Sequence, residues 1–267
     1  MGWLHHLISS VQRSLHGLVV AVRQGWEVVH LGAVILVLAL SPSCYRRARW
    51  PLLAQHLYQA TAPVLLWFVV LSSLLGLVLI RIVVVTAQSY GLSQYAVDMV
   101  VRVLVLELIP LGTALFVALR ITIPQSAELL SARDSGQARV NEVWDRTAWA
   151  HWVLPRALAG MFSVVMLVAV SGVVALVLAY LNIYGFTPWA LDGYTRLVGQ
   201  VFNPSVTLIF SFKTLFFALI VALIPLASSL HDSPRPEARA RSELQSLVRM
   251  ALALLAIEAV SLMGNYY

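Results

Sequence analysis

Charge is scarce in this chain, and lysine is almost absent from it. Asp, Glu, Lys and Arg make up 11% of the 267 residues, and Lys213 is the only lysine. With 60% hydrophobic residues and a mean hydropathy of +0.84, there is too little polar surface to coat a water-soluble globule. That excludes a soluble enzyme or binding domain and leaves an integral membrane protein. The one cysteine, Cys44, excludes an internal disulfide and a cysteine-based zinc site. The seven histidines show no close ligand spacing apart from His5-His6; neighbours on a helix point to different faces, so no metal site is expected. No Gly-x-x-x-x-Gly-Lys-[Ser/Thr] stretch is present, so the chain holds no phosphate loop of its own. The net charge of +6 would suit nucleic acid, but the arginines fall in short clusters between apolar runs, where they read as topology signals.

What fills the chain instead is apolar sequence. Residues 3–23 place Leu4, Leu7, Ile8, Val11, Leu15, Leu18, Val19 and Val22 on one helical face, with His5, His6, Gln12, Arg13, His16 and Arg23 elsewhere. This pattern predicts an N-terminal amphipathic helix over 1–25 lying in the membrane interface, or one packed on protein. The apolar stretch 28–40 ends at Ser41-Pro42-Ser43 and is short for a span of roughly 20 residues. Residues 26–60 are therefore expected to form a short re-entrant or tilted hydrophobic segment and a basic loop. Five stronger runs follow at 61–86, 98–123, 156–182, 204–230 and 247–264. The predicted fold is an all-α integral membrane protein with about five transmembrane helices. It forms one domain over 1–267, with two spans in 61–123, a cytoplasmic segment at 124–155 and three spans in 156–267.

The connecting segments set the orientation. Arg46, Arg47 and Arg49 lie in 41–60; Arg133, Arg139, Arg146 and Arg156 in 124–156; Arg235, Arg239, Arg241 and Arg249 in 231–249. Residues 87–97 carry no charge, and 183–203 carry one arginine, Arg196. The excess of arginine on alternate loops predicts a cytoplasmic N-terminus and a periplasmic C-terminus. Within 124–155, charged Glu128, Arg133, Asp134, Arg139, Glu142, Asp145 and Arg146 alternate with Leu129, Leu130, Val140, Val143 and Trp144. That pattern predicts short surface helices able to dock a cytosolic partner, with a plain solvated linker as the alternative. On the other side, residues 185–189 and 192–201 read as a turn and a short helix, with Tyr184, Trp189 and Tyr194 placed for an aromatic belt.

Three charges lie too deep to escape the hydrocarbon. Lys213, Glu107 and Glu258 each fall about nine residues from the outer end of their runs, marked by Pro204, Asp98 and Tyr267. That is roughly 13 Å at ~1.5 Å per residue, one layer near the midplane. A charge at that depth is costly unless paired or wet, so it reads first as functional. Two acids and one base leave one acid uncompensated, so either Arg102 reaches in, a carboxyl is protonated, or water enters. On an α-helix Arg102, five residues from Glu107, would not share its face, which makes Lys213 the partner for a carboxylate. The alternative is that these charges only lock the helices together. Arg81 and Arg120 lie close enough to helix ends to snorkel.

The stretch from Val103 to Arg120, followed by Ala127-Glu128 and then Pro155-Arg156-Ala157-Leu158-Ala159-Gly160, resembles the MlaE/YrbE family of ABC-transporter permeases associated with MCE proteins. Lys213, between Phe212 and Thr214, is similar to the family's lysine in the penultimate helix, and Glu258 sits where the last helix carries an acid. Leu106 replaces the family's arginine beside the glutamate, Leu119 the glycine before Arg120, and Leu130 the glycine shortly after Ala-Glu. Ser135-Gly136 stands for a Thr-Glu, while Gln137 and Glu142 match; Arg146-Thr147-Ala148 replaces a Val-Asp-Pro-like turn.

The resemblance implies a permease subunit, not itself an enzyme, in the bacterial inner membrane. It would work as a homodimer, seated on an ABC ATPase that supplies ATP and below a periplasmic MCE-domain protein, and would move phospholipid or related lipid between inner and outer membranes. No cofactor is expected on the chain itself. Glu107, Lys213, Glu258 and Arg102 would line or govern the translocation path, and Glu128, Arg133 and Glu142 would couple to the ATPase. Two other classes stay open on the residues alone: an ion- or proton-coupled secondary transporter using the same carboxylates, and a non-transporting membrane scaffold.

Overall fold

A long apolar run surrounded by lipid can satisfy its backbone only by closing its hydrogen bonds within itself, so each run here folds as a helix. A computed structural model describes Val28, residues 30–35, Val37, and residues 50–135, 152–231 and 236–266. Among these residues there is no strand, and five helical segments are long and apolar enough to cross a membrane: Ala54–Ser89, Ser93–Ala132, Leu154–Tyr184, Pro204–Ser229 and Glu243–Gly264. The chain is thus an all-α, multi-pass membrane protein. The interfacial helix expected over 1–25 and most of the basic loop lie outside the described residues.

Helix α1 (Trp50–Ser89) starts about eleven residues before the apolar run that announces it. Residues 50–60 are therefore helix and not loop. Pro51 occupies the first turn, where its missing N–H has no partner to lose, and Gln55, His56 and Gln59 lower the local hydropathy without disfavouring helix. The second span is continuous but changes register. It comprises α2 (Ala96–Val100), a π-helical stretch Val101–Leu108, α3 (Ile109–Val117), a second π-helical stretch Ala118–Thr122, and α4 (Ile123–Asp134). The remaining helices are α5 (Leu154–Tyr184), α6 (Leu191–Val201), α7 (Pro204–His231) and α8 (Pro236–Tyr266).

Helix α5 lies at the centre, packed against α1, α7 and the second span. Ala159, Ser163, Leu167, Ser171, Ala175 and Ala179 recur every fourth residue and are all buried. This mostly small stripe lets neighbouring backbones approach, the usual means of close packing where lipid offers no hydrophobic drive. The hydroxyls of Thr61 and Ser163 share a buried hydrogen bond of 2.8 Å, tying α1 to α5. At Gly160 a Cβ would fall 2.8 Å from Cγ2 of Thr122, so the contact between α5 and the second span requires glycine. The opposite face of α1, with Leu66, Trp67, Leu74 and Leu75, is exposed, as suits a surface bathed in acyl chains.

At the arginine-poor end, α6 buries Tyr194 and Val201 and half-buries Leu197 and Val198, an i, i+3, i+4, i+7 stripe. The Tyr194 hydroxyl donates to the Leu176 carbonyl at 2.8 Å, and its ring meets Tyr180 and Tyr184 edge-on at 5.2 and 6.1 Å. Tyr194 is therefore a packing residue, 6% exposed, and not part of a lipid-facing belt. Phe186 and Trp189, by contrast, are almost wholly exposed. At the opposite, arginine-rich end, Leu31 and Ile35 pack with Leu129, Val153, Leu154 and Leu223.

Two outcomes follow from this packing. Gly160→Ala is expected to lower stability by about 1–3 kcal/mol, because the β-branched Thr122 has little room to yield; an unchanged thermal midpoint in detergent would refute the close contact. Burial pushes the Tyr194 hydroxyl up to about 12, with the nearby Tyr184 adding to the shift. Its proton is thus held by the folded form and released by the unfolded form between pH ~10 and ~12, so its contribution is constant below pH ~10 and lost as pH rises through that window. Tyr194→Phe should flatten this alkaline loss in a pH-dependent unfolding series, and an identical alkaline limb in the variant would assign the loss elsewhere.

Candidate functional site

The buried charges meet at one atom. Lys213, in the middle of α7, is 3% exposed, and its Nζ forms a hydrogen-bonded ion pair with Oε2 of Glu107 on the second span. Oε2 of Glu258, on α8, lies 2.8 Å from the same nitrogen. Nζ also donates to the backbone carbonyl of Leu106 at 3.1 Å. An ammonium has three N–H donors and no acceptor, and here it faces three oxygens. Phe217, one turn along α7, sets its ring centroid 5.9 Å from Nζ, a distance at which a cation–π attraction still contributes. The second span, α7 and α8 are thereby joined by one side chain.

Exposure within the cluster is uneven. The Lys213 side chain is 2% exposed and each carboxylate side chain 12%, so the cation is enclosed while both acids reach the edge of the protein. Taken as formal charges, two carboxylates and one ammonium leave a single negative charge. The arrangement holds opposite charge in a dry setting, with the Glu258 Oε2 that faces Nζ itself buried.

Arg102 does not join this cluster. Its Nε bonds to both carboxylate oxygens of Asp98, at 3.1 and 3.0 Å, and the pair is only part-buried, at 32% and 42% side-chain exposure. The expectation that Arg102 and Glu107 occupy different faces assumed an α-helix. Val101–Leu108 is π-helical, closing with the Ile109 N–H on the Leu104 carbonyl, and i→i+5 bonding brings residues five apart to successive turns of one side. Arg102 therefore stands one turn from Glu107, toward the arginine-poor end, held by Asp98.

At the arginine-rich end, α4 prolongs the second span instead of forming a separate surface helix. Leu129 and Leu130 are 1% and 6% exposed, and Leu129 packs with Val153, Leu154 and Leu223; a leucine with core neighbours in reach does not stay at the surface. Glu128 remains exposed and within electrostatic reach of Arg156. The Arg156 guanidinium donates to the Trp152 carbonyl at 2.8 Å and lies 5.4 Å from the Trp152 ring centroid. Arg133 belongs to α4; its side chain and Glu142 lie outside the described residues. From Glu107 to Glu128 the helix is unbroken over 21 residues, roughly 30 Å. Among the described residues no three of His, Cys, Asp and Glu gather to hold a metal.

Sequence reasoning did not single out the Leu106 carbonyl, Asp98 as the partner of Arg102, or Trp152.

The family model for Permease MlaE matches residues 53–263, a stretch that contains all three clustered charges, α4 and Arg156. The chain belongs to the MlaE permease family. A comparison with curated proteins finds no match. As an MlaE permease, the chain is the membrane-spanning subunit of an ABC-type transporter, and the charged cluster sits within the part that defines the family.

Removing the cation alone strands two buried acids, whereas removing all three charges strands none. Lys213→Met is expected to destabilise by about 3–5 kcal/mol, and the charge-free triple variant Glu107→Gln, Lys213→Met, Glu258→Gln by much less. Thermal or denaturant unfolding in detergent would decide this. A single variant as stable as the triple would mean that the acids are solvated and the pairing contributes nothing.

Proposed function

We propose that this MlaE permease moves phospholipid or a related lipid between the inner and outer membranes. In this reading it works as a homodimer in the inner membrane, with its N-terminus cytoplasmic and its C-terminus periplasmic. An ABC ATPase seated on the cytoplasmic face supplies ATP, and an MCE-domain protein receives or delivers lipid on the periplasmic face. The observation that carries the reading is the three-helix charged cluster in the membrane-spanning core of a chain of this family, placed on the same unbroken helix as the exposed Glu128.

The geometry supports a division of labour. Lys213, Glu107 and Glu258 govern the polar part or the closure of a lipid path, with Arg102 and Asp98 one turn outward. Residues near Glu128, Arg133 and Glu142 receive the ATPase. Movement imposed at Glu128 reaches Glu107 along one helix, so ATP-driven displacement can alter the charged cluster without an intervening loop. Such coupling requires two packings that differ in affinity for lipid.

Purification of the tagged chain from native membranes, with co-purifying proteins and lipids identified by mass spectrometry, tests the assignment. Recovery of an ATP-binding subunit, an MCE-domain protein and stoichiometric phospholipid supports it. Recovery of the chain alone, free of such partners and of specific lipid, would favour the ion-coupled or scaffold readings. In the intact complex, Glu258→Gln is expected to lower lipid-stimulated ATP hydrolysis by about tenfold, within the usual range of coupling between distant sites; unchanged stimulation and transport would remove the cluster from the mechanism.

A further inference from the structure

Two carboxylates and one ammonium leave a single negative charge in hydrocarbon, and such a charge is offset by a second cation, by water or by a proton. No second cation is at hand among the described residues. Arg102, one turn outward on the second span, commits its Nε to Asp98. Arg81 on α1, and Asp192 and Arg196 on α6, are exposed. Arg249 on α8 and Arg120 on the second span lie nine and thirteen residues from the acids of their own helices, toward the arginine-rich end, roughly 13 Å or more. The charged residue of α5 is Arg156, at that same end, and α7 carries Lys213 alone between Pro204 and Leu230. A bridging water is left no room either, because the Glu258 carboxyl lies within hydrogen-bonding reach of that of Glu107. Two ionised carboxylates are acceptors only and hold no hydrogen between them; a carboxyl–carboxyl hydrogen bond requires that one of the two carries a proton.

We infer that Glu107 and Glu258 form a one-proton site: the folded chain holds a single proton between the two carboxyls, so that two acids, one base and that proton make a neutral cluster. The proton belongs to the pair and not to either residue. It changes how the helices are held. With it, α8 is joined to the second span twice, through Nζ of Lys213 and directly through the carboxyl–carboxyl bond. Without it, the direct bond becomes a contact between like charges, opposed only by the shared ammonium. Loss of the proton therefore loosens α8, while α7 stays seated on the second span through Glu107 and the Leu106 carbonyl. The inference holds whatever the chain transports, because it rests on a charge count and the reach of three side chains.

A shared proton and a proton that one acid holds on its own account differ in what happens when the other acid is removed. Because Lys213 is the only lysine, labelling with 15N-lysine and 13C-glutamate, with a lysine-free tag, lets solid-state NMR of the full chain in lipid nanodiscs select, through Nζ, the carboxyl carbons beside it. Near neutral pH the two selected carboxyls are expected to carry one proton between them, seen as one protonated and one ionised signal or as two signals midway. In Glu107→Gln, and equally in Glu258→Gln, the remaining carboxyl faces the ammonium alone and is expected at the ionised position, so loss of either acid abolishes the protonated signal. Two ionised carboxyls in the native chain would overturn the inference, as would a protonated signal that survives in either variant. The native spectrum decides even where a variant fails to fold, because it reads the proton directly.

Discussion

An ammonium in hydrocarbon is tolerable only when its three N–H groups are answered, and the packing of three spans follows from how that is done here. Lys213 draws a carboxylate and a carbonyl from the second span and a carboxylate from α8. Buried ion pairs add little net stability compared with well-packed apolar residues, but breaking one is severe. Their effect is therefore on register. A shift of α7 by one residue would swing Nζ around the helix and leave two acids unpaired, so the relative depth of the second span, α7 and α8 is fixed by one atom. The mostly small stripe along α5 complements this restraint, since close backbone approach there brings the second span and α7 near enough for a lysine to bridge them.

The second span carries the consequences furthest. Two π-helical stretches, Val101–Leu108 and Ala118–Thr122, change which residues share a face. The helix then continues as α4, where Leu129 is packed in and Glu128 stays out. A rigid element with a charged clasp at one level and an exposed acid beside Arg156 at another is a lever only if it has two stable positions; contiguity by itself supplies a route, not a switch. Helix α8 is attached to the ammonium by a single ion pair, whereas the second span offers it two acceptors.

Much of this was legible in the sequence where a fixed helix rise does the work. Five apolar runs gave five spans, and the equal depth of Glu107, Lys213 and Glu258 along their runs anticipated that they meet. Features that depend on register or on tertiary partners were not legible. The face occupied by Arg102 turns on a π-helical stretch, which leaves no periodic signature in a run that is apolar on all sides. Residues 50–60 read as loop because Gln55, His56 and Gln59 lowered the average, although none of them disfavours a helix. Leu129 and Tyr194 looked like surface and belt residues, since burial by Leu223 or hydrogen bonding to Leu176 cannot be seen from spacing alone.

The identity of the central cation carries information of its own. Every other Lys or Arg position in the chain is arginine, so composition alone would have placed arginine at 213 as well. A guanidinium presents five N–H donors in a planar fork and cannot be satisfied by three oxygens converging from different sides, whereas a lysine ammonium is a compact charge with three rotatable donors. Two carboxylates from separate helices and one backbone carbonyl make such a three-sided seat. The single lysine therefore marks a cationic position where the surrounding acceptors, and not the membrane interface, set the geometry.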